Sequence, residues 1–303
     1  MQPFLKWAGG KRWLIPKIKD SIPPFKTYFE PFLGSGTLFF ALEPKSAVLS
    51  DTNPELVNCY KVIKNHCEPM IKVLKKLKFK KSDYYAIRDK FQSGNDPIKR
   101  AAYFIYLNKT CWNGLYRVNN LGKFNVPIGT HLSRGFKVYD SDHLKSISHL
   151  LKRAIIKRCD FEETVKQARS GDLVYFDPPY ITTHLKNGFI KYNSVLFHQS
   201  DELRLAKLAE KLANRKIQVI LSNAAHPLIK QQYNGCFYKT EILRPSLIAA
   251  DPEKRTKFLE LLVTSFPLIQ TIEPDRNLKR QDEFISLNMR YKPSYNPKCR
   301  SSG

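Results

Sequence analysis

Short apolar runs alternate with amphipathic stretches along most of the chain, which predicts alternating strands and helices and a largely parallel sheet. Apolar runs at residues 27–32, 47–51, 154–159, 173–176 and 218–221 read as strands. The first leads into the small-residue turn Gly34-Ser35-Gly36, with a helix expected from Thr37. Another helix is expected from Pro54-Glu55, because proline suits a first helical position. Residues 198–215 have the period of an amphipathic helix, with Leu203, Leu205, Leu208 and Leu212 on or near one stripe. Residues 237–243 and 258–264 read as a C-terminal antiparallel pair.

The pattern changes between about residues 61 and 142. Helical segments carrying Lys72, Lys75, Lys76, Lys78, Lys80 and Lys81 replace strands, and an apolar, aromatic helix follows around residues 100–108. Trp112-Asn113-Gly114-Leu115-Tyr116-Arg117 then leads into a turn-rich stretch, where Asn119-Asn120-Leu121-Gly122 predicts a hairpin. This region reads as an insertion into the α/β domain, outside its sheet. From Thr271 the chain is polar, basic and proline-containing, a partly disordered tail with no role assigned beyond added positive charge.

Composition narrows the function classes. A chain of 303 residues suits one large domain, or one domain with a big insertion, and 42% hydrophobic residues suit a folded protein. No run of about 18 apolar residues predicts a membrane span. Residues 1–7 lack the apolar stretch of a signal peptide, so a cytoplasmic location is expected. Fifty-one Lys and Arg against 27 Asp and Glu leave a charge of +24, which favours nucleic acid over a ribosomal or membrane-surface role. The six cysteines form no C-x-x-C pair and no His cluster completes a site, so no metal is expected.

The candidate chemistry lies in Asp177-Pro178-Pro179-Tyr180, which closes the apolar run at 173–176. In an open α/β sheet, ligands bind at the carboxyl ends of strands, where Asp177 is expected. The exocyclic amine of a base is a poor nucleophile because its lone pair is delocalised into the ring. An acceptor on each N–H favours the pyramidal geometry that frees the pair. Asp177 can supply one acceptor and the Pro178 carbonyl the other, with the proline rings restricting the backbone that aims it. Tyr180 offers a flat face for an extruded base. A plain proline turn closing a strand has the same local sequence.

A second constellation suits a nucleoside-containing cofactor. The Gly34-Ser35-Gly36 turn after a strand lets backbone approach a ligand closely. Phe39 occupies the third glycine position of G-x-G-x-x-G, which disfavours a nicotinamide dinucleotide. Asp51 ends the next strand, where an acid accepts hydrogen bonds from ribose hydroxyls, or caps the helix that begins at Pro54. Lys6-Trp7-Ala8-Gly9-Gly10-Lys11 precedes a helical stretch; its glycine pair is placed to face an anion, with Lys11 adding charge and Trp7 walling the pocket. No G-x-x-x-x-G-K-[ST] is present, so a phosphate loop is excluded.

In order along residues 4–265, F-L-K-W-A-G-G-K, F-E-P-F-L-G-S-G, S-D-x-N, W-N-G-L-Y-R-V-N, F-N-V-P-I-G, D-F-E, D-P-P-Y and L-S-N resemble the Dam family of DNA adenine-N6 methyltransferases. The resemblance implies an α/β Rossmann-like class I methyltransferase sheet with an inserted, mainly helical target-recognition domain. It implies a catalytic domain binding S-adenosylmethionine at residues 1–60 and 143–270, a DNA target-recognition domain at 61–142 and a basic tail at 271–303. Asp177, Pro178 and Tyr180 would be catalytic. Trp7, Lys11, Asp51 and Asp177 would contact S-adenosylmethionine, and Phe32, Gly34 and Gly36 would approach its methionine part. Asp160 and Phe161 would hold its adenine, though their local sequence also reads as a helix N-cap and a core aromatic.

The resemblance places Trp112, Asn113, Leu115 and Arg117 against DNA bases, with Lys6 reading an outer base. Arg117 suits a bidentate contact to guanine and Asn113 a polar contact, while Trp112 suits a wedge where a flipped adenine leaves. Trp112 and Leu115 can equally pack the insertion's own core. The resemblance favours GATC as target, double-stranded DNA as partner and a monomer. It leaves open a restriction–modification role, with a cognate endonuclease sharing the site without direct contact, and a solitary role. A cytosine-N4 methyltransferase uses the same acceptor geometry, although Asp at 177 instead of Ser favours adenine. A DNA-binding relative without turnover is the other alternative, disfavoured by intact Asp51, Asp177 and Tyr180.

Overall fold

Seven strands form one sheet in the order β3-β2-β1-β4-β5-β7-β6. The computed structural model describes residues 1–78, 80–129, 137–180, 197–233, 235, 237–244 and 258–269; the expected tail from residue 271 lies outside them. Met1–Leu268 is one compact unit, and of the second unit, Ile269–Gly303, only Ile269 is described.

The first half runs α1 (Ile15–Ile18), β1 (Tyr28–Glu30), α2 (Thr37–Leu42), β2 (Ala47–Asp51), α3 (Pro54–Lys76), α4 (Lys81–Ser93) and α5 (Pro97–Thr110). It continues through α6 (Ser141–Leu151), β3 (Ala154–Arg158), α7 (Phe161–Val165) and β4 (Leu173–Phe176). Then come α8 (Gln199–Asn214), β5 (Gln218–Ala224), α9 (Pro227–Gln232), β6 (Tyr238–Arg244) and β7 (Phe258–Thr264). The strands β1 to β5 pair in parallel, whereas β7 is antiparallel to both β5 and β6. Every residue of β1 and β4 is buried, as expected of parallel strands covered on both faces. Strand order reverses between β1 and β4, so a crevice is expected at their carboxyl ends.

The helices between β2 and β3 make up most of the insertion. The Asn53 side chain accepts from the Glu55 and Leu56 N–H groups and starts α3, which Pro69 and a non-helical His66 interrupt. Asp96 caps α5 in the same way, accepting from Ile98 and Lys99. The hairpin forms as a single antiparallel bridge, Val118 to Phe124, around a turn in which Asn119 Oδ1 accepts from Leu121 and Lys123.

Two expectations change. Leu203 does not join the buried stripe of α8: it is 47% exposed, two residues and about half a turn from Leu205. Glu202 takes the place in the stripe, beside Leu205, Ala206, Ala209 and Leu212, with its carboxylate bound by Asn223 and Tyr233. Gly9 and Gly10 also do not open a helix. They lie in a turn closed by Gly10 N–H on the Trp7 carbonyl, and α1 begins only at Ile15. Among the described residues no helix is long and apolar enough to cross a membrane.

Candidate active site

The carboxyl ends of β1, β2 and β4 bring the predicted residues to one edge of the sheet. Asp177 follows β4 directly, and because Phe176 pairs with Leu221, Ser222 of β5 lies beside it. Ser222 donates to Asp177 Oδ1 at 2.9 Å, and the Lys11 ammonium meets the same oxygen at 3.0 Å. Among the described residues, Asp177 Oδ2 has no hydrogen-bond partner. The side chain is 21% exposed, so one oxygen is anchored within the protein and the other is available. Burial, and then the Glu260 charge, push the Asp177 carboxyl above its ordinary range, while Lys11 and Ser222 oppose the shift.

Lys11 is 3% exposed and fully committed: besides Asp177 it contacts Glu260 Oε1 at 2.8 Å and donates to the Gly9 carbonyl at 3.0 Å. Its ammonium also lies 4.7 Å from the centre of the Tyr180 ring, within cation–π range. The Tyr180 hydroxyl donates to the same Glu260 oxygen. Burial, Asp177 and Glu260 together raise the Tyr180 phenol well above its usual range, so it stays protonated. Glu260 has no local signature. It is a buried acid in the apolar run of β7, placed opposite Ala224 of β5 by strand register.

The glycine turn sits next to this cluster. Gly34 has φ of +46°, and a Cβ there would meet Trp7 at 2.9 Å, so only glycine lets the indole lie so close. The indole also stacks on Tyr116, with ring centres 5.9 Å apart. The Asp51 carboxylate accepts from Gly34 N–H at 3.1 Å and Asn53 N–H at 2.9 Å, which locks turn to strand end. Asn53, not Asp51, supplies the helix cap. Burial raises the Asp51 carboxyl above its usual range, against these hydrogen bonds. Phe32 is half-buried and stacks on Phe161 at 5.5 Å. Asp160 caps α7 through Oδ1, which also meets Arg204; the Arg204 guanidinium lies 4.8 Å from the centre of the buried Phe161 ring.

The expected DNA-facing residues come together at a different place. Buried Asn108 accepts from Lys6 N–H at 2.9 Å, and its amide donates to the Lys6 carbonyl at 2.7 Å and the Gly114 carbonyl at 3.0 Å. Gly114 has φ of +66°, and a Cβ there would strike the Lys6 side chain at 2.4 Å. Lys6 is thereby held against the Trp112–Gly114 turn. Trp112 is 44% exposed, and Asn113 and Arg117 are exposed. Leu115 is half-buried and lines a small recess with Phe104, Leu107 and Phe124. Arg117 Nε donates to Asn125 at 2.9 Å, which orients the guanidinium. Ser222, Glu260 and Asn108 were not among the expected site residues.

Such a sheet, with an antiparallel strand wedged before its last member, an acid ending β2 and a D-P-P-Y loop ending β4, defines a Rossmann-like methyltransferase. Residues 7–248 match the model of the D12 class of N6 adenine-specific DNA methyltransferases. The chain is 36% identical to the type II methyltransferase M.MjaIII of Methanocaldococcus jannaschii, over 88% of this chain and 99% of that protein. It is 38% identical to the type II methyltransferase M1.LlaDCHI of Lactococcus lactis subsp. cremoris, over 88% of this chain and 96% of that one. With the DNA adenine methylase of Haemophilus influenzae it shares 33% identity, over 86% and 92% of the two chains. The chain belongs to the D12 class of N6 adenine-specific DNA methyltransferases. Its substrate is DNA and its target atom is adenine N6, which sets the cytosine-N4 alternative aside.

Proposed function

We propose that the enzyme takes its methyl group from S-adenosylmethionine and delivers it to an adenine flipped out of duplex DNA, within GATC. The observation that carries this reading is the division of labour at Asp177: Oδ1 is held by Lys11 and Ser222, and Oδ2 is left to accept from the adenine amine. The Pro178 carbonyl accepts the second N–H, and the Tyr180 ring, held through its hydroxyl, is the platform for the base.

The residues present fit the donor. Asp51 keeps a lone pair on each oxygen for ribose hydroxyls beyond the two N–H groups it accepts. Phe32, Trp7 and the Gly34 to Gly36 turn form a wall for the methionine part, and Asp160 Oδ2, without a partner among the described residues, accepts from the adenine. Phe161, covered by Phe32 and Arg204, supports that wall from behind. Lys11 is spent on carboxylates, so its role is to hold Asp177. When bound, S-adenosylmethionine supplies an electrophilic methyl on a sulfonium, and a site rich in acceptors favours its transfer.

Residues 61–142, with Lys6, read the DNA: Arg117 and Asn113 contact base edges, Leu115 packs beneath them, and Trp112 fills the space a flipped base leaves. Residues 1–60 and 143–270 form the catalytic domain. The enzyme works as a monomer on DNA in the cytoplasm. Relatives named type II methyltransferase support a restriction–modification role, with a cognate endonuclease sharing the site, and those named DNA adenine methylase a solitary one.

The test is to expose unmethylated plasmid to the enzyme with S-adenosylmethionine and map modified bases by polymerase-kinetics sequencing. N6-methyladenine confined to GATC is the expected result. Methyladenine in another word would remove the GATC assignment, and no modification would remove the donor.

A further inference from the structure

An antiparallel strand one place from the sheet edge, reading Leu259-Glu260-Leu261-Leu262-Val263, has little use for a buried acid. Burying a carboxylate is unfavourable unless it is paired and hydrogen-bonded. Glu260 is 4% exposed; its Oε2 is buried without a partner among the described residues, and both partners of its Oε1 are members of the catalytic cluster. A single oxygen, Oε1, receives the Tyr180 hydroxyl and the Lys11 ammonium, the latter at 2.8 Å. Lys11 in turn holds Asp177 Oδ1 at 3.0 Å. A continuous line therefore runs from the base platform through Glu260 and Lys11 to the acceptor.

We propose that Glu260 is a positioning residue for methyl transfer: it fixes the tilt of the Tyr180 ring and shares the Lys11 ammonium, so that Asp177 remains a strong acceptor. The proposal rests on the assignment of Asp177 and Tyr180 as catalytic. Without the Glu260 charge, Lys11 has one carboxylate left and draws on Asp177 alone, which weakens it as an acceptor, and the Tyr180 hydroxyl loses its partner. Asp177 is faced by Lys11 from the N-terminal segment, Glu30 and Tyr28 from β1, Tyr175 from β4, Tyr180 from its own loop, and Ser222 and Glu260 from β5 and β7. Among these, Glu260 raises the Asp177 carboxyl and Lys11 lowers it. Neutralising Glu260 must therefore lower it.

The experiment measures kcat, DNA affinity and the pH profile of the full chain, for wild type, Glu260→Gln, Glu260→Asp, Tyr180→Phe, the double variant Glu260→Gln with Tyr180→Phe, and Asp177→Ala. Glu260→Gln is expected to lower kcat about 10–100-fold, with DNA affinity within about twofold, as for a misplaced reacting group. Its acid limb moves to lower pH, because the charge that helps raise the Asp177 carboxyl is gone. Glu260→Asp keeps the charge, so it lowers kcat while the acid limb stays in place. Tyr180→Phe then costs less in the Glu260→Gln background than in wild type, because the two act through one bond.

Wild-type kcat in Glu260→Gln, an unmoved acid limb, or independent effects of the two substitutions overturns the proposal. Should Glu260→Gln fail to fold by thermal melt, Glu260→Asp decides: wild-type kcat there overturns it equally. Asp177→Ala separates the two levels. If it turns over at the wild-type rate, the catalytic assignment falls and the proposal with it. If it is inactive while Glu260→Gln is normal, only the role of Glu260 falls.

Discussion

Asp177, Lys11 and Glu260 at the sheet edge are largely buried and bonded to one another, whereas Trp112, Asn113 and Arg117 on the insertion stand exposed, held from beneath by Asn108. The proposed catalytic pole buries its charges against one another and presents one exposed acceptor, Asp177 Oδ2. The proposed reading surface does the reverse: it saturates the backbone underneath and leaves its side chains available. Chemistry on a base needs atoms fixed to a fraction of an ångström, and reading a base sequence needs side chains that reach. The N-terminal segment ties the two together. Lys6 is bound to Asn108 beneath the Trp112–Gly114 turn, Lys11 to Asp177 and Glu260, and Trp7 between them packs on both Tyr116 and Gly34.

The largest expected effect breaks the catalytic pole alone. Asp177→Ala removes the acceptor but leaves Lys11 its bonds to Glu260 and the Gly9 carbonyl, so the fold and DNA binding persist. Methyl transfer should fall by about 10³-fold or more, read by tritium incorporation from labelled donor, as when a site loses its main transition-state partner. Robust turnover, or a comparable loss of DNA affinity, would show that the poles are not separable in this way.

Asn108→Ala attacks the other pole from beneath. It removes three hydrogen bonds, those to the Lys6 N–H, the Lys6 carbonyl and the Gly114 carbonyl, a loss of about 2–3 kcal/mol. Tm should drop by roughly 3–5 °C for a chain of this size. Discrimination between cognate and altered sites should weaken, while donor affinity measured by calorimetry stays within about twofold. Equal losses in both would mean that Trp7 transmits the disturbance to Gly34.

The contrast also explains what the amino-acid pattern revealed. β2 and β4 are found with the expected limits, and the apolar run of β4 stops where its strand stops. β5 continues to Ala224, three residues past the expected end, because Ser222 and Asn223 break the apolar run while remaining buried in the strand. Leu203 misled for the complementary reason: Glu202 holds the core position, its Oε1 bound by Tyr233 and Asn223. Ser222, Glu260 and Asn108 share this property. Each is a buried polar residue with a partner far away in sequence, and local periodicity assigns such residues to loops or surface. Asp177, Tyr180 and Asp51 were legible because turns and strand ends announce themselves locally.

The smallest expected effect sharpens the reading surface to a single side chain. Asn125 holds Arg117 through Nε, and among the described residues its two terminal nitrogens have no partner. A guanidinium held at one nitrogen and open at the others is arranged for a planar, two-pronged acceptor such as the guanine edge. Arg117→Ala should cost about 1–3 kcal/mol of discrimination, or roughly 5–150-fold, at one base pair of the site, with methyl transfer on the relaxed set of sites retained. Competition between cognate and singly altered duplexes measures it. Arg117→Lys separates charge from geometry: a point charge restores phosphate attraction and general affinity but not the two-pronged contact, so discrimination stays lost. If Arg117→Ala weakens cognate and altered duplexes alike and lysine restores that affinity, Arg117 serves the phosphate backbone, and reading falls to Asn113 and its neighbours on the Trp112–Gly114 turn.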